Sequence, residues 1–282
     1  MTRQKHREGY RDERGAEPGK EWNEKRKSRR RRNRRKARIR FLASMLGTLL
    51  GAVLLVLVAY TALNLFCGFG KVNAQKLREQ GYPESLIALV ERNPETKDFV
   101  LDYPKYKGLE EIDISKEVTK GEIPHFLQWD ERWGYETYGS DFLAVTGCGP
   151  TCLSMVVCGL TGDTKWNPYE VAKMAEDNGY YVDGSGSSWE LMSSGAEKLG
   201  LTVSSVIFDA EHIRATLEAG QPIICVMGPG DFTDAGHFLV LTGVDQEGDI
   251  ILQDPNSVER TKQHWDVQKL MNQMKNLWSY SV

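Results

Sequence analysis

TGCGPTCLSMVVCGL, running from Thr146 to Leu160, contains no charged residue and is filled by small or apolar side chains. A run of this kind predicts a buried helix beginning at or just after Pro150, because proline is tolerated in a helix's first turn. Cys148 then sits at the helix N-terminus, where the macrodipole and unpaired backbone N–H groups favour a thiolate. Gly147 and Gly149 leave the thiol without bulky neighbours, and local N–H groups can face a developing oxyanion. The pattern suits an acyl-transfer nucleophile.

Downstream, the elements follow in legible order. NPYEVAKMAEDNG (167–179) predicts an amphipathic helix capped by Asn167 with Pro168 at its first position. SSWELMSSGAEKLG (187–200) predicts another, with Ser187 or Ser188 as cap and Gly200 as stop, and EHIRATLEAG (211–220) a short third. PIICVMG (222–228), HFLVLTGVD (237–245) and DIILQDP (249–255) predict three strands separated by Gly and Asp turns. Helices followed by strands indicate an α+β class.

Cysteine attack needs a partner that stabilises the thiolate and protonates the leaving amine, which histidine can do. Of five histidines, His237 opens an apolar strand after the polar loop GPGDFTDAG (228–236), a rigid base beside a mobile rim. His6 lies in the charged tail, and His125, His212 and His264 have no evident partner in the sequence. Asp254 ends the next strand, so antiparallel neighbours would bring its carboxylate to the imidazole, where it would fix tautomer and orientation. Asp-Pro-Asn is also a good turn sequence, and Asn256 is an alternative holder of the ring.

Taken together, QWDERWG (128–134), GCGPT opening a helix, GHFLVLTG and a strand ending in DPNS resemble the C39-like cysteine peptidases, a papain-like family found in many bacteria. The resemblance covers about residues 123–257. It implies a papain-like fold of helices on an antiparallel sheet, with Cys148 as nucleophile, His237 as base and Asp254 as orienting residue. Related families line the oxyanion hole with a Gln a few residues before the Cys. Here the position six residues earlier is Phe142, and the available Gln is Gln128. Some C39 peptidases are fused to ATP-driven exporters; this chain has no P-loop and no multi-span region, which argues against export coupling and leader cleavage.

No cofactor or metal is expected. Cys152 and Cys158 share the Cys148 helix without a CxxC pair or clustered His, and six residues of helix separate them too far for a disulfide. They and Cys225 read as core residues, with a Cys158–Cys225 bridge left open. Trp189 reads equally as groove lining or core.

The N-terminal part is physically different. Residues 1–40 hold 18 Lys and Arg against 6 Asp and Glu, a net of +12, and the remainder has 18 against 33, a net of −15. Between Phe41 and Phe66 no residue is charged; this is longer than the ~20 residues that span a bilayer as a helix. A cleaved signal peptide is the rival reading, but its apolar stretch is normally ~7–15 residues and no clear cleavage site closes this one. Phe66 is too bulky for lipoprotein processing at Cys67, which reads as an ordinary thiol. Dense Lys and Arg before the span predict a cytoplasmic N-terminus and an extracytoplasmic remainder. The expected organisation is therefore a basic disordered tail over 1–40, a transmembrane helix over 41–66, a helical preface over 67–120 and a peptidase-like domain over 121–282. Anionic lipid is the expected partner of the tail, at about 1 kcal/mol per basic residue, and no nucleic acid is expected.

The functional expectation is a membrane-anchored thiol hydrolase acting on peptide or isopeptide bonds. The alternatives are a non-catalytic peptide- or cell-wall-binding module, and a cell-wall amide hydrolase or transferase.

Overall fold

A computed structural model describes residues 20–68 and 72–282. Two compact units divide the chain, 1–70 and 71–282.

The described residues of the first unit form one helix, α1 (Lys20–Gly68). It corrects the expectation of disorder through residue 40, of which 1–19 fall outside the described residues. The physical reason is local: Arg, Lys and Glu are good helix formers, and a helix already nucleated in the apolar run extends at little cost into such a tract. Within it, Lys25–Val58 includes a stretch long and apolar enough to cross a membrane by length and composition. A signal sequence near an N-terminus would pass the same test. The side chain of Cys67 is outside the described residues.

The second unit opens with a small helical layer: α2 (Ala74–Glu79), α3 (Glu84–Arg92), a 3-10 turn over Pro94–Thr96 and α4 (Lys97–Asp102). Asn73 caps α2, accepting from the N–H of Lys76. In α3 the i, i+1, i+3, i+4 spacing of Leu86, Ile87, Leu89 and Val90 puts four buried side chains on one face. They cluster with Phe99, Val100, Tyr135 and Ala144. Burying each such side chain contributes about 1.5–3 kcal/mol, so this layer is fastened to the chain around residue 140 by its own core.

Next come the hairpin β1 (Thr137–Tyr138) and β2 (Asp141–Phe142), the single turn α5 (Leu143–Thr146) and the central helix α6 (Cys148–Thr161). Every residue of α6 from Gly149 to Gly159 is buried, which is why its sequence shows no polar stripe. α7 (Pro168–Asp177) has the expected Asn167 cap and Pro168 start. After the hairpin of β3 (Tyr181–Val182) and β4 (Gly186–Ser187), the helix expected over 187–200 is split. A 3-10 turn covers Trp189–Met192, and α8 (Ser194–Lys198) follows. Ser193, at φ −108° and ψ −93°, breaks it; Ser-Ser-Gly is a weak helical sequence.

The main sheet comprises β5 (Thr202–Ser205), β6 (Ile223–Met227), β7 (His237–Val244), β8 (Ile250–Gln253) and β9 (Met274–Ser281), in the order β5-β9-β6-β7-β8. All its pairings are antiparallel. α9 (Ala210–Glu218), α10 (Val258–Thr261) and α11 (Val267–Met271) complete the unit. One sheet face, with Ile224, Val226, Phe238 and Val240, joins the core around α6 and α7. The other, with Ile223, Cys225, Leu239 and Leu241, packs with Ile213 of α9 and Leu270 of α11. Both faces are covered, so β6 and residues 238–241 of β7 are uninterrupted apolar runs. This is the expected α+β class, helices packed on an antiparallel sheet.

Candidate active site

α6 starts two residues earlier than expected. Gly147 is its N-cap, its carbonyl accepting from the N–H of Thr151 at 3.0 Å, so Cys148 is the first helical residue. The flanking glycines have a packing reason that the sequence did not reveal. A Cβ on Gly147 would lie 2.4 Å from the Leu143 carbonyl oxygen, and one on Gly149 2.5 Å from Ser187 Oγ. α5 and β4 thus press on both sides of a cysteine that itself remains partly exposed.

His237, at the start of β7, lines the same two cavities as Cys148, and the ring and the thiol each favour the other's charged form. Its Nε2 lies 2.8 Å from Asp254 Oδ1, which leaves Nδ1 for the sulfur. β7 and β8 pair with Val240 opposite Gln253, and Asp254 follows directly, so register delivers the carboxylate to the ring. Asn256 does not hold the imidazole: its N–H donates to Asp254 Oδ1 at 2.7 Å and its side chain meets Asn93.

Asp254 has no exposed surface. Its Oδ2 accepts from Arg260 Nε at 2.5 Å, its N–H donates to Thr261 Oγ1, and its carbonyl oxygen meets His125 Nε2 at 2.7 Å. Arg260 and His125 were not legible in the sequence, because Arg260 meets Asp254 through the turn between them and His125 meets it from 129 residues upstream. Nor are His212 and His264 partnerless: Asp209 and Asp245, respectively, meet their Nδ1 atoms at 2.6 Å.

A cavity of about 790 Å³ opens beside the thiol, lined by Gln128, Cys148, His237, the 230–236 loop and Arg92 to Glu95. A smaller one of about 240 Å³, with Trp189, Ser187 and Lys275, shares Cys148, Ala235, Gly236 and His237 with it. Gln128 thus reaches the site from 20 residues upstream. Its Nε2 donates to the Ala144 carbonyl at 2.7 Å, committing one of its two amide hydrogens. Trp189 is half exposed and stacks edge-on against Trp278, so it lines the cleft rather than the core. Cys152, Cys158 and Cys225 are buried free thiols, and no Cys158–Cys225 bridge forms.

Residues 120–282 match the Peptidase_C39 like family. The chain belongs to that family. Among solved structures, the crystal structure of a candidate C39-like peptidase from Bacillus anthracis is 19% identical, over 58% of this chain and 97% of that one, with a TM-score of 0.34. No curated protein matches the chain. Family membership supports a peptidase-like activity for this Peptidase_C39 like protein.

The electrostatics of the cluster suit such chemistry. Burial alone would lower the His237 pKa, but the charge and hydrogen bond of Asp254, together with the thiol, raise it to about 10. Burial would raise the Cys148 thiol; the imidazole and the N–H groups of Phe238 and Gly149 outweigh it and hold it below the ordinary value. Asp254 stays below the usual carboxylate range despite its burial, because His237, Arg260 and the Asn256 N–H favour the anion. Both shifts favour charge on the pair, and a thiolate beside an imidazolium is the state from which a sulfur can attack and a ring can donate a proton. The family match begins at residue 120, so Arg92 to Glu95 bring to this cleft a wall from outside it.

Proposed function

We propose that this protein is a membrane-anchored cysteine peptidase whose catalytic domain lies outside the cytoplasm. The observation that carries the reading is the imidazole of His237, which meets the buried Asp254 carboxylate and lines both cavities together with Cys148. Two cavities that share Cys148 in their lining suit a chain-like substrate whose scissile bond crosses that residue, rather than a compact molecule filling one pocket.

In the proposed reaction, the thiolate attacks the carbonyl carbon, and the oxygen takes up the negative charge facing the N–H of Cys148 and the remaining amide hydrogen of Gln128. His237 Nδ1–H gives its proton to the leaving amine as the C–N bond breaks, leaving a thioester on Cys148. Neutral His237 then takes a proton from water, whose oxygen attacks the thioester. Collapse releases the carboxylic acid product and returns the thiolate and imidazolium. Throughout, Asp254 keeps the ring oriented and favours its charged form.

Anchoring rests on the apolar stretch of α1 and the basic residues before it, which favour a cytoplasmic N-terminus near anionic lipid. The substrate is a peptide or cell-wall peptide.

The test is incubation of the detergent-solubilised full chain, and of its Cys148→Ala form, with a peptide library and with peptidoglycan fragments, read by mass spectrometry. Cleavage by the parent alone is the expected result; it assigns the substrate class at the same time. Equal cleavage by both forms would remove Cys148 from the chemistry, and binding of peptide without turnover would favour a binding module.

A further inference from the structure

The carboxylate of Glu95 is aimed at a segment 162 to 164 residues away. Its Oε1 accepts from Ser257 Oγ, and its Oε2 accepts from the N–H groups of Val258 at 2.8 Å and Glu259 at 3.2 Å. These are orphan donors of the first turn of α10, which a helix must satisfy from elsewhere. Ser257 is buried and is itself the cap of α10, accepting from the Arg260 N–H at 3.0 Å.

From there the contacts run directly to the centre. Arg260 Nε donates to Asp254 Oδ2 and the Asn256 N–H to Asp254 Oδ1. The same turn grips the segment a second time, Asn93 Nδ2 donating to the Asn256 carbonyl at 2.5 Å. Asn93 also orders Glu95, accepting from its N–H at 3.1 Å. Asn93 ends α3 and Glu95 lies in the 3-10 turn directly after it, and the buried face of α3 fixes both to the core around Tyr135.

We propose that Glu95 is a positioning residue of the catalytic centre, holding residues 256–260 so that the Asp254 carboxylate stays on His237. The proposal rests on the reading of Cys148 and His237 given above. Glu95 does not touch the reacting atoms; it acts through Ser257 and Arg260. Its removal leaves a buried hydroxyl and two N–H groups without an acceptor, and the segment must move to find others. Arg260 and the Asn256 N–H move with it, the carboxylate loses the partners that fix its rotation, and the imidazolium is less well supported. A thiol facing a less stabilised imidazolium forms thiolate at higher pH.

The experiment is the pH dependence of Cys148 alkylation by iodoacetamide in the detergent-solubilised full chain, followed by mass spectrometry of the Cys148 peptide, with melting temperature measured alongside. In the parent the reactive limb lies below that of an ordinary thiol. Glu95→Ala is expected to move it up by about half a pH unit or more, and Glu95→Gln, which keeps one acceptor oxygen, to restore part of the shift. A lower melting temperature with a profile superimposed on the parent's would make Glu95 a brace of the fold only and overturn the proposal. If Glu95→Ala does not fold, Glu95→Gln and Asn93→Ala decide it by the same shift or its absence. A parent that titrates as an ordinary thiol near pH ~8.5 would instead overturn the reading of the centre itself, and with it this proposal.

Discussion

Asp254 is the residue on which the contacts of the candidate site converge. Its two oxygens accept from a ring, a guanidinium and a backbone N–H, its carbonyl meets His125, and no part of it reaches solvent. A buried carboxylate so surrounded stays ionised, and its charge is what lifts His237 to about 10. The sign of the consequence follows. A raised histidine pKa means that the imidazolium and its stabilising contacts are fully present below the unfolded value of ~6.5, and are lost as pH rises through about 10. Asp254→Asn removes the anion, so the imidazolium is lost at lower pH. The alkaline limb of kcat/KM should move down and the rate should fall by about 10²- to 10⁴-fold. A pH profile of the variant checks this, and an unmoved alkaline limb would mean that Asp254 does not support the ring's charge. At this scale the sequence was informative where chemistry needs a residue type at an element's end: Cys148, His237, Asp254 and Gln128 all line or adjoin one cleft. It was silent on Arg260, Glu95 and His125, whose roles depend on contacts across more than 100 residues or through a turn.

Among elements, those with strong periodicity or strong caps were legible: α3 by its four-residue face, α7 by Asn-Pro, and β6 and β7 by continuous apolarity. β5 and β9 were not. β5 is a short, largely exposed edge strand, TVSS, with no apolar alternation to betray it. β9 carries Lys275 and Asn276 near its start, and its burial does not strictly alternate. The α2–α4 layer was legible as helices but not as part of the site. Its buried face meets Tyr135 and, within α5, Ala144, just ahead of Cys148. If this layer belongs to the same cooperative unit, damage to it should be felt throughout. Leu86→Ala, at a fully buried position, should cost about 2–5 kcal/mol. It should lower a single unfolding transition followed by tryptophan fluorescence, since the tryptophans of residues 72–282 all lie beyond residue 128. A separate early transition that leaves the tryptophan signal unchanged would mean that the layer unfolds independently.

For the whole molecule, charge and hydropathy divide the chain at the apolar run, and the structure divides it at residue 70. The basic side of that division is helical from Lys20 rather than disordered, because composition that opposes a packed core does not oppose a helix continued from an adjacent apolar one. The catalytic proposal needs none of this unit for its chemistry; it needs only that a thiolate and an imidazolium coexist at Cys148 and His237 near neutral pH. A p-nitrophenyl ester of a blocked amino acid, mixed rapidly with the full chain at neutral pH, tests that need without knowledge of the natural substrate. The expected result is a burst of p-nitrophenol of about one equivalent, as an accumulating acyl-enzyme gives, with the acyl mass on the Cys148 peptide. No burst and no adduct, or an adduct on any other residue, would contradict it.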